Sequence, residues 1–354
     1  RHVAVDGVNR RRVTRVRALV VGSSGYVGSR LVAELVRQGH DVVASARNVD
    51  KLGQFGFSDT VETLELDVTD RVSCRRALEA AGPLDVAYYL VHSIGGDDFA
   101  ERDRRSADTF ANAATRAHVS RIVYLGGLVP AGEDLSEHLE SRAEVGDTLT
   151  ETLTDDTDPG PGDVVWLRAA VILGAGSTSF EVVRSMAERL PVVPLPRFMF
   201  GAVSPIAVDD VLHYLIAAGD PAAVPAGSYD ISNGEPMTYA DLIKLYARSS
   251  GLRRWWVSVP FVTPRLAAPI VAALTPIPRD LVRDLVESLG NTMVSQDDRI
   301  RRLVADPVDG LTTAADAIRR AAVVEGGFPT VWDSLDSLRL AETDPGWAGG
   351  RLRA

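Results

Sequence analysis

The chain has 354 residues, of which 45% are hydrophobic and 24% are charged, so it can bury a substantial core and is not of disordered composition. Its formal net charge of −10 argues against general nucleic-acid binding, which needs a basic surface. No apolar run is long enough to predict a transmembrane helix. The only cysteine, Cys74, excludes an internal disulfide, favours a reducing cytoplasmic location and is predicted to be a small helix residue, partly buried.

Strand and helix patterns alternate over the first half of the chain. Residues 1–15 are basic and lack both Met and an apolar signal core, which favours a tail and a missing native N-terminus. Buried strands are predicted at 18–21, 41–47, 61–68, 85–91, 121–128 and 164–174. Helices are predicted through Val27, Leu31, Leu35 and Val36, ended by Gly39, and at 70–81, 98–118 and 137–153. This alternation predicts an α/β fold, a Rossmann-like doubly wound parallel sheet, with residues 16–174 as its Rossmann core.

The pattern is less regular after residue 174. Helices are predicted at 177–189, at 208–218 with Asp209 or Asp210 as its cap, and at 238–251 with Thr238 as its N-cap and Gly251 as its C′ residue. Strands are predicted at 227–233 and around Trp255. Residues 175–334 are therefore expected to supply the remaining core elements and a smaller C-terminal lobe that covers a cleft or meets a partner. Residues 335–354 are expected to form an extended, poorly packed tail.

Three glycines between the first strand and the first helix indicate a nucleotide site. Gly22 suits a tight turn, Gly25 lets backbone amides approach a pyrophosphate, and Gly28 lets the helix pack closely on the strand. The N-terminus of the helix adds N–H groups and the positive end of its dipole. The alternative is a plain turn of small residues. The predicted binding segment is Gly22, Ser23, Ser24, Gly25, Tyr26, Val27 and Gly28.

Two later positions refine the choice of nucleotide. Arg47 follows the second strand, where NAD-preferring sites carry an acidic residue, and its guanidinium suits the extra phosphate of NADP. Asp67 and Val68 follow the third strand, where the carboxylate could accept a hydrogen bond from the adenine amine. Arg47 as a surface residue and Asp67 as a turn or helix cap are the alternatives. NADP is therefore the expected cofactor, with NAD as the second choice.

Together these motifs resemble the extended and atypical branches of the short-chain dehydrogenase/reductase superfamily. The resemblance covers about residues 16–300 and includes "LRAAVILG" at the sixth strand. The segments "YYLVHSIGG", "HLESRAEVG" and "SPIAVDDVLHYL" look typical of a bacterial NAD(P)-binding group related to nitrogen-metabolite-repression-type regulators and to the complex I accessory subunit. The resemblance implies that Leu90, Val91 and His92 contact the cofactor. The ending "DPGWAGG" looks like a junction with a further domain.

The catalytic residues of that superfamily are replaced in this chain. Its members use a Tyr and a Lys four residues apart, together with a Ser on the fifth strand. The matching positions here are His138, Arg142 and glycine. Arg142 can hold a ribose or a phosphate but cannot donate its proton, whereas His138 could act as acid or base. His92, at the end of the fourth strand, is a second candidate. Alternatively, His138 only starts a helix and the site only binds nucleotide.

The resemblance implies an NADP(H)-preferring oxidoreductase that acts on a carbonyl, enone or quinone-like small molecule. A non-catalytic regulatory or assembly protein remains an alternative, as does a sugar-type epimerase, although its usual Tyr and Lys are missing. No His or Cys spacing predicts a metal site. A homo-oligomer or a protein partner that binds the lobe is left open.

Overall fold

A computed structural model of the chain describes residues 15–57, 59–92, 98–130, 136–153, 162–323, 330–334 and 336–351. The predicted basic tail, apart from residue 15, lies outside these ranges. The strands are β1 Arg17–Val21, β2 Asp41–Ala46, β3 Glu62–Glu65, β4 Val86–Tyr89, β5 Arg121–Gly127, β6 Asp163–Ala169, β7 Val171–Leu173, β8 Val192–Leu195, β9 Ala202–Val203, β10 Pro205–Ala207, β11 Gly227–Ile231, β12 Met237–Thr238 and β13 Trp255–Ser258. The helices are α1 Tyr26–Arg37, α2 Arg71–Ala81, α3 Phe99–Arg116, α4 Glu137–Leu153, α5 Thr178–Arg189, α6 Val208–Ala218, α7 Tyr239–Ser249, α8 Pro264–Leu274, α9 Arg279–Ser288, α10 Arg299–Leu303 and α11 Ala314–Ala321.

Seven strands form one parallel sheet, in the order β11-β6-β5-β4-β1-β2-β3. The chain runs outward from β1 to β3 and then crosses back to β4 on the other side of β1. In open sheets of this kind, ligands bind outside the carboxyl ends of the strands at this switch point. The predicted Rossmann-like doubly wound fold is confirmed.

Helices cover both faces of the sheet. Apolar residues of α1 and α6 pack on one face, and those of α2, α3 and α4 pack on the other. Tyr88 and Tyr89 point to opposite faces of β4 and are 0% and 1% exposed, so both are core residues. Cys74 is also fully buried, and burial raises the pKa of its thiol to about 12. Its predicted structural role agrees with this position.

The smaller lobe has an apolar cluster of its own, formed mainly by α5, α7, α8, α9 and α11. The predicted strand at Trp255 is present as β13, which pairs in parallel with β8. The predicted continuous strand 164–174 is wrong, because the chain breaks at Ala170. After the break, β7 leaves the main sheet and pairs with β10, which carries the chain towards the lobe.

The ends of two helices test the capping predictions. Helix α7 begins after Thr238, which forms a reciprocal capping box with Asp241, as the sequence indicates. The predicted cap of α6 is wrong: its N-cap is Ala207, and Asp209 and Asp210 lie in the first turn. They bind other parts of the chain instead, since Asp210 accepts a hydrogen bond from the amide of Thr312 at 2.8 Å.

The expectation of a poorly packed C-terminal tail is also wrong for residues 336–351. Leu338 is 0% exposed and belongs to the lobe cluster. The buried carboxylate of Asp344 accepts two hydrogen bonds of 2.8 Å from Arg30 on α1. A buried guanidinium needs such a partner, so this segment is held against the first helix.

Candidate functional site

The turn between β1 and α1 can be built only with small residues. Gly22 has a φ of +91°, and its amide and that of Ser23 donate to the carbonyl of Ser45 on β2 at 3.2 and 3.0 Å. A Cβ atom on Gly28 would lie 2.2 Å from the carbonyl oxygen of Gly22. Strand and helix therefore approach each other as closely as the glycine spacing predicts.

The start of α1 is open for an anion. Its N-cap is Gly25, which makes no side-chain capping bond, and Gly25 itself is exposed. The first N–H groups of a helix have no partner within the helix, and the dipole makes this end positive. Within the described part of the chain, the amides of Tyr26 and Val27 have no acceptor. This cradle fits a dinucleotide diphosphate.

The side chains of Ser23, Tyr26 and Val27 contact other parts of the chain. The hydroxyl of Ser23 donates to Val20 at 2.7 Å and accepts from the Ser45 amide, so it joins β1 to β2. Tyr26 stacks on Arg30 at 4.0 Å, and burial raises the pKa of its phenol. Val27 packs on the core and Ser24 is half-buried. The backbone is therefore what lines the cradle.

Two predicted cofactor positions flank it at the ends of β2 and β3. Arg47 is exposed and forms no ion pair with any described residue, so its guanidinium is free to meet a phosphate. Asp67 holds its own turn: its Oδ1 accepts from the amide and hydroxyl of Thr69 at 2.9 and 2.8 Å. The turn thereby fixes the carboxylate, whose Oδ2 atom has no such bond within the described residues. Val68 is buried in the core.

The end of β4 lies against the glycine turn. A Cβ atom on Gly22 would be 3.1 Å from Cγ2 of Val91 and 3.2 Å from the carbonyl oxygen of Leu90. The Leu90 amide donates to Val21 at 3.1 Å, which keeps this segment beside β1. Leu90 and Val91 therefore lie at the sheet crossover, beside the glycine turn.

His138 and Arg142 form one unit on α4. The Nε of Arg142 donates to the Nε2 of His138 at 2.9 Å. Burial and the neighbouring guanidinium lower the pKa of His138 to about 3, so its imidazole is neutral at neutral pH. The terminal nitrogens of Arg142 make no hydrogen bond to any described residue and remain available for a ligand. Arg142 is thus a fixed cation, oriented by His138.

A glycine makes room for this cation. A Cβ atom on Gly127, at the end of β5, would lie 3.3 Å from Cδ of Arg142. The hydroxyl of Tyr124 on the same strand donates to the backbone carbonyl of Arg142 at 3.1 Å. Gly127, in the part of β5 where the superfamily has serine, therefore lies directly beside Arg142 on α4.

His92 belongs to the same electrostatic neighbourhood. The positive charge of Arg142 lowers the pKa of His92 well below its usual value, and the surrounding protein and His138 act in the same direction. The structure therefore brings the three predicted catalytic residues into one region, at the carboxyl ends of β4 and β5.

Two features of the site were not predicted. Trp166 on β6 lies beneath it, since Cβ atoms on Gly126 and Gly146 would come within 2.5 and 2.6 Å of its indole. The lobe reaches the start of α4, where Asn291 accepts from the amide of Ser136 at 3.3 Å. Gly126 and Gly146 are the sequence signal for the contact with Trp166. The contact between Asn291 and Ser136 joins positions far apart in sequence, so no local pattern indicates it.

Comparison with known proteins agrees with this geometry. The profile of a family described as NAD(P)H-binding matches residues 22–150. These residues form an NAD(P)H-binding domain. The resemblance to the extended and atypical short-chain dehydrogenases/reductases is confirmed at the level of domain and fold.

Two known proteins are similar to this chain over stretches longer than residues 22–150. A 4-hydroxy-2-methyl-3-oxo-4-farnesyl-3,4-dihydroquinoline-1-oxide ketoreductase of Stigmatella aurantiaca is 25% identical over an aligned length of 320 residues, and the alignment covers 81% of this chain and 90% of that protein. A 3 beta-hydroxysteroid dehydrogenase/Delta 5-->4-isomerase of Mycobacterium tuberculosis is 28% identical over an aligned length of 151 residues, and the alignment covers 38% of this chain and 40% of that protein.

Solved structures show the same fold. A nucleoside-diphosphate-sugar epimerase of Staphylococcus aureus has a TM-score of 0.65 at 16% identity, covering 86% of this chain and 99% of its own. UDP-glucose 4-epimerase of Bifidobacterium longum, in complex with NAD+ and UDP, has a TM-score of 0.63 at 14% identity, covering 89% and 97%. Among the described residues, no helix could span a membrane and no group of side chains could hold a metal ion.

Proposed function

We propose that the protein is an NADP(H)-dependent oxidoreductase that reduces the carbonyl of a hydrophobic ring compound, such as a cyclic ketone, enone or quinone. The observation that carries the proposal is the Arg142–His138 unit. It places an oriented cation with free N–H donors beside the sheet crossover where the NAD(P)H-binding domain opens. The similarity of most of the chain to a ketoreductase supports this class of reaction.

The bound cofactor would supply the hydride, and the residues of this chain would bind, orient and move a proton. The terminal N–H groups of Arg142 donate to the acceptor oxygen or to the nicotinamide ribose and stabilise negative charge as it develops. His138 is a positioning residue, because its Nε2 accepts from Arg142 and is not available to the substrate. His92 is exposed and uses its neutral N–H to pass a proton from solvent to the reduced oxygen.

The preference for NADP over NAD rests on Arg47. Its exposed guanidinium follows β2 and has no acidic partner within the described residues, so it can pair with the 2′-phosphate. We expect Arg47→Ala to weaken NADPH binding about 10- to 100-fold, since a charge-assisted hydrogen bond is worth roughly 1.5–3 kcal/mol. NADH binding should stay within about twofold. Calorimetric titration with both nucleotides measures this difference, and equal losses would contradict the assignment.

Turnover is tested by following NADPH oxidation with a panel of alicyclic ketones, enones and quinones. We expect Arg142→Gln to lower kcat/KM about 100-fold, as loss of a donor to a developing oxyanion does. Glu140→Gln is the matched control, since it removes an exposed charge from the same helix and should retain activity. Activity of Arg142→Gln equal to that of the control would refute the role of Arg142.

A second candidate function is a non-catalytic nucleotide-binding protein. The low pKa of His138 favours this function. At neutral pH the imidazole carries no extra proton, so it cannot act as a cationic acid at the position where the superfamily has tyrosine. The two functions differ in the fate of the nucleotide. If the wild type turns over no faster than the His92→Ala/His138→Ala double variant while both still bind NADPH, the binding function replaces the enzymatic one.

A further inference from the structure

The lobe carries an exposed apolar face. Eleven large hydrophobic residues are exposed in the described part of the chain, and six of them belong to β8, β13, α8 and the turn before α8. Phe261 is 93% exposed, Trp255 77%, Leu266 62% and Ile270 57%. We call this set the apolar face: Val192, Trp255, Val257, Phe261, Leu266 and Ile270.

The local geometry explains why these side chains point outward together. Trp255 pairs with Val192 in the parallel β13–β8 ladder, and Val257 lies two positions further along the same side of β13. Leu266 and Ile270 are four residues apart on α8 and share one helix face. Trp256, Ala267 and other inward neighbours pack into the single lobe cluster, so the outward residues cover its other side.

The segment that carries five of the six residues of this face has a charge opposite to that of the whole chain. The full chain has 48 acidic residues and a net charge of −10, yet residues 242–279 contain six Lys or Arg and no Asp or Glu. Four of these arginines are exposed and form no ion pair with a described residue. They are Arg248, Arg253, Arg265 and Arg279. A segment that carries both exposed apolar side chains and unpaired guanidinium groups suits a partner with an apolar interior and an anionic surface.

We propose that the apolar face binds the surface of an anionic phospholipid bilayer. Trp255 and Phe261 would enter the boundary between headgroups and acyl chains, and the arginines would pair with lipid phosphates. A symmetric pair of chains in contact through this face would bring the same positive charges together, which disfavours a second copy as the occupant. Trp255 and Phe261 are also mostly exposed, so their rings are available to enter a fluid partner.

The binding is measured with the full chain and vesicles of phosphatidylcholine, alone or with about 30% phosphatidylglycerol. Co-sedimentation is combined with the tryptophan emission wavelength. The wild type should bind the anionic vesicles and shift its emission to the blue. Phe261→Ser/Leu266→Ser should lower binding at least tenfold. Arg253→Gln/Arg265→Gln should lower it about 20-fold and reduce its salt dependence, as expected from about fivefold for each arginine.

Val308→Ser is the matched control, because Val308 is fully exposed but lies outside the apolar face. It should bind as the wild type does. Failure of the wild type to bind anionic vesicles overturns the proposal. So does equal binding by the wild type and the Phe261→Ser/Leu266→Ser variant. Concentration-dependent dimers without vesicle binding, which Phe261→Ser/Leu266→Ser dissociates, would assign the face to self-association. Because no substrate is added, the result is independent of the proposed reaction.

Discussion

Replacement of Gly28 by alanine tests the phosphate cradle most directly. The added Cβ atom would lie 2.2 Å from the carbonyl oxygen of Gly22, 2.9 Å from its carbonyl carbon and 3.2 Å from Cα of Ser23. All three atoms are backbone, so no side chain can rotate away. Relief requires that α1 moves away from β1 by about 1 Å, since non-bonded carbon atoms sit roughly 3.5–4.0 Å apart.

The cost should appear in stability and in binding. Overpacking of this kind typically costs about 1–3 kcal/mol, so we expect the melting temperature of Gly28→Ala to fall by several degrees. The displaced helix would no longer aim its first amides at a diphosphate. NADPH at 100 times its Kd should stabilise the wild type by about 2.7 kcal/mol, and this increment should disappear in the variant.

Gly53→Ala is the matched control. A Cβ atom on Gly53 would meet nothing within 4 Å, and this glycine does not have a positive φ. Thermal unfolding of the three proteins, with and without NADPH, separates the two effects. If Gly28→Ala has the same melting temperature as Gly53→Ala and is stabilised to the same extent by NADPH, the close approach of strand and helix does not form the binding site.

Three further outcomes are expected. The pKa of His138 is about 3, so His138→Gln should leave the pH profile of kcat/KM unchanged between about pH 5 and 8, and a lost inflection near 6.5 would contradict this. Asp344→Asn should destabilise the protein by about 3–5 kcal/mol in urea unfolding because it leaves Arg30 buried without a counter-ion, whereas the exposed control Glu342→Gln should cost less than about 0.5 kcal/mol. Burial raises the pKa of Glu181 from 4.5 to about 7, so its contribution to stability is full below pH 4.5 and falls as the pH rises to about 7. Glu181→Gln should remove that part of the slope, on the order of 3 kcal/mol, and an unchanged slope would show that Glu181 does not titrate there.

The substitution of His and Arg for the usual Tyr and Lys changes how the site can work. In this structure the two side chains bind each other, and the histidine is held neutral by burial and by the guanidinium. An acid–base role for His138 that is plausible from the sequence is therefore less suited to the geometry than a positioning role. In the proposed reaction, the acceptor oxygen would accept hydrogen bonds from Arg142 and not from His138.

The sequence by itself determined the parts of the molecule whose physics is local. Alternating apolar runs specify buried strands, and the spacing of Gly22, Gly25 and Gly28 specifies a turn that only small residues can form. Helix α7 likewise begins at its predicted cap, because Thr238 and Asp241 are three residues apart and complete each other's hydrogen bonds.

Only the tertiary structure decided features that depend on distant partners. The C-terminal segment resembles a loose tail until Arg30 is buried on α1 and requires Asp344, which lies far along the chain. The hydrogen bond between Arg142 and His138 spans one helical turn, but the low pKa of His138 comes largely from burial by other elements. The apolar face also cannot be predicted from local sequence. Whether Trp255 or Trp256 faces solvent depends on which side of β13 packs against the lobe.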